Sequence, residues 1–181
     1  MEAITCHEVT MKPLFIFDFD DTIAHTKTNI LVYHADGTTE ELTSREFADY
    51  RREPGDELDF SQFENDVEGA LIHDTVEEME HAIDSHGKNS VYIVTARHQS
   101  RPVVKFLKAY GINFPKVVAV TGSENKADWL RAMLVAGPWN EVNVWEDSME
   151  NIEMLQRVVE EFNKEFYYEG REVTFSFTHI Q

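Results

Sequence analysis

The sequence predicts an α/β protein: a doubly wound, mainly parallel five-stranded sheet with helices on both faces and a small element inserted after the first strand. Three observations lead to this class. Five short runs have the apolar, β-branched and aromatic character of strands: residues 14–19 (LFIFDF), 91–95 (VYIVT), 117–121 (VVAVT), 142–146 (VNVWE) and 173–178 (VTFSFT). The first four are nearly continuous in apolar residues, as expected of strands covered by helices on both faces. Amphipathic helical patterns fill the intervals around the last four, which implies right-handed strand–helix–strand units. A chain of 181 residues fits one such domain carrying a small insertion.

Each helix is read from its apolar spacing. Val76, Met79, Ala82 and Ile83 share one face before the second strand. Val103, Val104, Phe106 and Leu107 supply an apolar surface after it, and Gly111 suits the helix end. Trp129, Leu130, Met133 and Leu134 follow the third strand, and the pattern stops at Gly137-Pro138. Ile152, Leu155, Val158, Val159 and Phe162 follow the fourth. The interval 25–72 breaks the alternation. Residues 30–34 and 38–42 flank Asp36-Gly37 and read as a hairpin. Thr43 and Glu46 have the spacing of a capping box for a short helix ending near Tyr50. Pro54-Gly55 is a turn, and residues 57–60 read as a further short strand. An interval this long needs structure of its own or a function such as a lid. The expected organisation is therefore a core of residues 11–24 and 73–181, with 25–72 forming a small cap, a hairpin plus a short helix. No repeat or low-complexity segment interrupts it.

Charge and cysteine content narrow the function. Sixteen basic against 34 acidic residues give a net charge of −18. Nucleic-acid backbones are bound chiefly by Lys and Arg, so extended nucleic-acid binding is not expected. One phosphorylated small molecule remains compatible, because exposed charges are screened beyond about 10 Å in salt. The single cysteine, Cys6, excludes an internal disulfide, suits a reducing compartment and has no metal-ligand pattern around it. No apolar run approaches the roughly 18 residues of a membrane span, and the first residues lack the basic-then-apolar plan of a signal peptide. A cytoplasmic protein without a membrane partner is expected.

In open α/β sheets ligands lie outside the carboxyl ends of the strands, which selects a short list of residues. The first strand ends in Asp18-Phe19-Asp20-Asp21-Thr22, the second in Thr95-Ala96-Arg97, and the fourth in Glu146-Asp147; Lys126 opens the helix after the third. Crowded carboxylates are tolerated when a hard cation neutralises them, and Mg²⁺ takes one or two carboxylates together with substrate phosphate. A carboxylate can then act as a nucleophile towards phosphorus. A second can protonate the leaving alkoxide and later deprotonate water. A hydroxyl and an ammonium stabilise the remaining phosphoryl oxygens.

With those residues in view, FIFDFDDTI resembles the first motif of the haloacid-dehalogenase superfamily, Asp-x-Asp-x-Thr after an apolar strand. VYIVTAR resembles its second motif, Lys126 its third, and Asp147-Ser148 of VWEDSMENI its fourth, in the family's order and spanning residues 14–152. The insertion falls where members carry their first type of cap. The resemblance implies a magnesium-dependent phosphatase of this type. Asp18 would be the nucleophile and Asp20 the general acid/base. Mg²⁺ would be held by Asp18, Asp147 and the backbone carbonyl of Asp20, and phosphate by Thr95 and Lys126. The substrate implied is a nucleotide or small phosphorylated metabolite. This chain departs from the pattern at Asp21, where the family often has Gly, and at Asn151, where it often has an acid; Glu146 is placed to compensate near the cation.

Other readings attach to the same residues. Asp and Thr after strands also serve as turn formers and helix caps, and Lys126 taken alone is a solvated lysine. Arg97 and Arg101 could reach a substrate anion, but surface positions are slightly favoured for both, and Glu146 divides evenly between the metal shell and a structural acceptor. His98 follows Thr95-Ala96-Arg97 without a decisive role, and none of the eight histidines forms a zinc-type pair. The aromatics and acids of the insertion read equally as packing within the cap or as groups that select substrate. Dehalogenation would leave Asp20 without a task, since halide departs without a proton. A phospho-accepting receiver domain would carry its phosphorylated Asp at the end of a later strand, and neither VYIVT nor VVAVT ends in one. Transfer to another hydroxyl, action on polynucleotide ends and inert phosphate binding stay open as alternatives.

Overall fold

A computed structural model describes residues 11–113 and 115–181; Cys6 lies outside them. In chain order the strands and helices are β1 (Lys12–Phe17), β2 (Ala24–Thr26), β3 (Asn29–Tyr33), β4 (Thr39–Thr43), α1 (Ser44–Asp49), β5 (Glu57–Asp59), β6 (Gly69–Leu71), α2 (His73–His86), β7 (Val91–Thr95), α3 (Arg101–Ala109), β8 (Lys116–Ala119), α4 (Asn125–Ala136), β9 (Trp139–Glu146), α5 (Met149–Glu165) and β10 (Thr174–His179). Short 3₁₀ turns occupy Ser61–Glu64 and Tyr167–Glu169. Among the described residues no helix is long and apolar enough to cross a membrane.

Five strands form an all-parallel sheet in the order β10-β9-β1-β7-β8, flanked by helices in a Rossmann-like arrangement. Side-chain alternation along each strand sends successive residues to opposite faces. Phe15 and Phe17 of β1, Val91 and Ile93 of β7 and Trp145 of β9 pack with α2 and α3 through Val76, Met79, Val103, Phe106 and Leu107. Leu14, Ile16, Val94, Val142 and Val144 pack on the other face with α4 and α5 through Leu130, Leu134, Leu155, Val159 and Phe162. Burying each of these side chains contributes about 1.5–3 kcal/mol, which is why continuous apolar runs and helical stripes specify this layering. Phe17 and Trp145 stack at 4.4 Å across β1 and β9.

Strand ends differ from the apolar runs for identifiable reasons. β9 begins at Trp139, earlier than its apolar run, because the exposed Asn140 and Glu141 carry no apolar signal, although Glu141 pairs with Pro13 and Thr174 and Asn140 sits at a bulge in the register. β8 stops at Ala119, since Thr121 (φ +59°) and Gly122 (φ +104°) turn the chain back. β1 stops at Phe17, where Asp18 still donates its N–H to the Trp145 carbonyl at 2.9 Å.

Residues of the insertion form a second, antiparallel sheet in the order β4-β3-β5. The Asp36-Gly37 turn is closed by Asp36 Oδ1, which accepts from the Thr38 N–H at 2.9 Å. The capping box on α1 is present in both directions between Thr43 and Glu46. A two-stranded ribbon of β2 and β6 joins this sheet to the core. The sequence carried little signal for the ribbon, whose strands have three residues each. Gly69 permits their close approach: a Cβ there would stand 2.3 Å from the His25 carbonyl oxygen.

Candidate active site

Connectivity places the site. From β1 the chain crosses to β7 and β8 on one side, then returns to β9 and β10 on the other, so the order reverses between β1 and β9. A crevice outside the carboxyl ends of the strands is expected at such a reversal. The register Phe17↔Trp145 brings Asp18 and Glu146 side by side there.

The turn after β1 has a local cause. Asp21 adopts φ +56°, a left-handed conformation that favours Gly and that Asp tolerates. Its N–H donates to the Ala24 carbonyl at 2.8 Å, while the Phe19 carbonyl accepts from Ile23 and Ala24 N–H, both at 3.0 Å. This closed loop carries Asp20. On the opposite side, Gly122 N–H donates to the Ala96 carbonyl at 2.8 Å and Thr121 N–H to the Arg97 carbonyl at 3.2 Å. The loop after β8 is thereby tied to the loop after β7, and Lys126 enters from the first turn of α4.

Four charged side chains meet at the reversal. Lys126, 2 % exposed, donates from Nζ to Asp18 Oδ1 at 2.6 Å and to Glu146 Oε2 at 2.7 Å. Asp18 Oδ2 accepts no hydrogen bond among the described residues. Asp147 completes a set in which carboxylate oxygens of Asp18, Glu146 and Asp147 lie within 4.8 Å of one another. Asn151 Nδ2 donates to Glu146 Oε1 at 3.1 Å. The Ser148 hydroxyl caps α5 by accepting from Asn151 N–H at 3.3 Å. From β10, His179 Nε2 donates to the Asp147 carbonyl at 2.9 Å, which fixes the ring tautomer.

Electrostatics follow from this crowding. Burial pushes the Asp18 carboxyl well above the ordinary carboxylate range; Lys126 pulls against that, and Glu146, Asp147 and Asp20 add to it. Burial, then the adjoining Glu146, push Asp147 to about 7. Burial works against the Lys126 ammonium, but Asp18 and Glu146 outweigh it and hold its pKa above the usual lysine value. Three carboxyl groups thus face one ammonium, and the excess negative charge is what an oxygen-coordinated divalent cation neutralises. The donor set, all oxygen and closely spaced, fits such an ion.

Asp20 stands apart from that set and is held by other groups. Its Oδ1 accepts from Arg97 Nη2 at 2.7 Å and from the Thr26 hydroxyl at 2.7 Å, and its Oδ2 accepts from Arg97 Nε at 2.9 Å. Thr95 is buried at the carboxyl end of β7, with its hydroxyl accepting from the Arg97 N–H at 3.3 Å. Ser100 precedes α3, so Thr95 does not cap that helix.

Arg97 overturns a sequence expectation. It is not a surface residue but 3 % exposed, whereas Arg101 and His98 are exposed. Only the position of Arg97, two residues beyond the end of β7, pointed to it. His179, Thr26 and Thr28, which also reach these groups, had no sequence signal. Comparison with protein-family models, curated proteins and solved structures finds no match for this chain.

Proposed function

We propose that this protein is a magnesium-dependent phosphatase of the haloacid-dehalogenase type, hydrolysing phosphate monoesters through an aspartyl-phosphate on Asp18. The observation that carries the reading is the state of Asp18: one oxygen is held by Lys126 at 2.6 Å, and its carboxylate belongs to an acidic set that a single cation would neutralise. A second carboxylate, Asp20, stands two residues away in a hydrogen-bonded turn. Asp18, Asp147 and the Asp20 carbonyl would hold Mg²⁺, with Glu146 beside them. When bound, the ion neutralises phosphoryl oxygens and lets an anionic nucleophile approach phosphorus.

The chain's own groups do the rest. Asp18 Oδ2 attacks phosphorus, the bond from phosphorus to the ester oxygen breaks, and Asp20 gives its proton to the departing alkoxide. Asp20 then takes a proton from water, whose oxygen attacks the acyl phosphate and frees inorganic phosphate and Asp18. Lys126 and the Thr95 hydroxyl stabilise the phosphoryl oxygens as charge develops. The net charge of −18 favours a nucleotide or other small phosphorylated metabolite over a polymer. The inserted segment, whose Thr28 and Phe63 reach Arg97 just beyond β7, would act as a cover that limits substrate size.

The test is phosphate release from a panel of phosphomonoesters, with and without Mg²⁺, comparing wild type with Asp18→Asn. Metal-dependent release that disappears in the variant supports the reading. Wild-type protein silent on every ester, oligonucleotide ends included, removes it.

A further inference from the structure

Arg97 makes more polar contacts than a packing residue needs. Its side chain is 1 % exposed, and four hydrogen bonds leave it: Nε and Nη2 to the two oxygens of Asp20, Nη2 also to the Thr28 hydroxyl at 3.0 Å, and Nη1 to the Phe63 carbonyl at 3.2 Å. The rings of Phe63 and Phe19 lie against the guanidinium at 4.9 and 5.5 Å. Burying a cation costs several kcal/mol before its partners respond. Thr28 and Phe63 would be served as well by a neutral amide donor. The charge and the planar fork are required by Asp20 alone, the one carboxylate the side chain touches, because paired parallel N–H donors match a carboxylate.

Thr28 and Phe63 belong to the inserted segment, whereas Asp20 belongs to the turn after β1. One guanidinium therefore ties the two together. We infer that Arg97 is the positioning residue for Asp20, holding its carboxylate against the reacting ester and making that placement depend on the seating of the inserted segment. The inference rests on the acid/base role given to Asp20 above. Without the Thr28 and Phe63 contacts Arg97 would keep only its pair with Asp20, and the orientation of that carboxylate would be less fixed.

The experiment compares Arg97→Lys, Arg97→Gln and Thr28→Val with wild type on two esters, nitrophenyl phosphate and glycerol phosphate. A nitrophenolate departs with little help from an acid, whereas an alkoxide needs the proton. Arg97→Lys keeps the charge but not the fork, and its rate on glycerol phosphate is expected to fall by about 10²-fold, within the range of lost acid/base catalysis, with a much smaller fall on nitrophenyl phosphate. Thr28→Val, which leaves the Asp20 pair in place, is expected to move the two esters apart in the same direction by less. Hydrogen exchange supplies a readout independent of turnover: amides of residues 24–30 and 60–65 should exchange faster in Arg97→Gln. Equal losses on both esters, or wild-type rates in folded Arg97→Lys, overturn the positioning role. Unchanged exchange in Arg97→Gln overturns the tie to the inserted segment. Where the wild type turns over a different alkyl phosphate of the panel, that ester replaces glycerol phosphate in the comparison; silence on every ester removes the phosphatase reading and with it the role at Asp20, while the exchange result still decides the tie.

Discussion

Asp18 at the strand ends and Asp56 in the inserted segment are both buried, at 7 % and 3 % exposed, yet their surroundings are opposite. Around Asp56 the groups are donors: the Tyr50 hydroxyl, the Glu53 N–H at 2.7 Å and His34 Nδ1 at 3.0 Å. The Tyr50 bond foremost, then Glu53 and His34, hold Asp56 below the ordinary carboxylate range despite burial. Tyr50 is pushed in turn up to about 12. Around Asp18, among the described residues, there is one donor side chain, Lys126, while burial foremost and three further carboxyl groups push it upwards. An anion ringed by donors is satisfied and holds a loop in place. A carboxyl group crowded by other acids is held towards its protonated form unless a cation neutralises the cluster, a pattern that functional sites share.

Substitutions separate the two aspartates. Asp18→Asn should reduce phosphate release to background while circular dichroism stays native, because an amide still accepts from Lys126. The same change at Asp56 should leave turnover per folded molecule intact and lower the melting temperature, since the new NH₂ faces groups that also donate. Turnover surviving Asp18→Asn would place Asp18 with Asp56 among the structural residues. Next in size, Asp20→Ala should slow release by about 10²–10⁴-fold, the scale of a lost general acid/base, measured as kcat on an alkyl ester.

A smaller effect sharpens the comparison through pH. Asp147 is raised from 3.8 to about 7, so the folded protein keeps a proton that the unfolded chain releases near pH 4. Its contribution to stability therefore declines as pH rises from about 4 to about 7. His34, raised by its bond to Asp56, acts in the same direction: the stability it gives is present below its unfolded pKa and lost as pH climbs through the folded one. Metal-free protein should melt lower at pH 8 than at pH 5. Added Mg²⁺ should raise the melting temperature more at pH 8, and His34→Gln should lessen the part of the pH dependence that Mg²⁺ does not remove. Equal Mg²⁺ effects at both pH values would detach the cation from the acidic set.

Sheet, helices and hairpin were legible because burial repeats. Residues 91–95 need apolar side chains on both faces, the stripe from Ile152 to Phe162 recurs at helical spacing, and Asp36-Gly37 and Thr43 with Glu46 act within a few residues of themselves. The strand-end acids were legible for the same local reason, since a strand's carboxyl end is known once the strand is. Lys126 Nζ reaching both Asp18 and Glu146 was not, because the order in which strands assemble decides which ends become neighbours. The burial of Arg97 was hidden more deeply. A lone arginine after a strand reads as solvated, and only the meeting of Asp20, Thr28 and Phe63 around it gives the charge a partner. Local sequence thus determined the layers and the list of chemical groups. Tertiary structure alone decided which charges pair, because those pairings join residues as far apart as Asp18 and Lys126, where no periodicity extends.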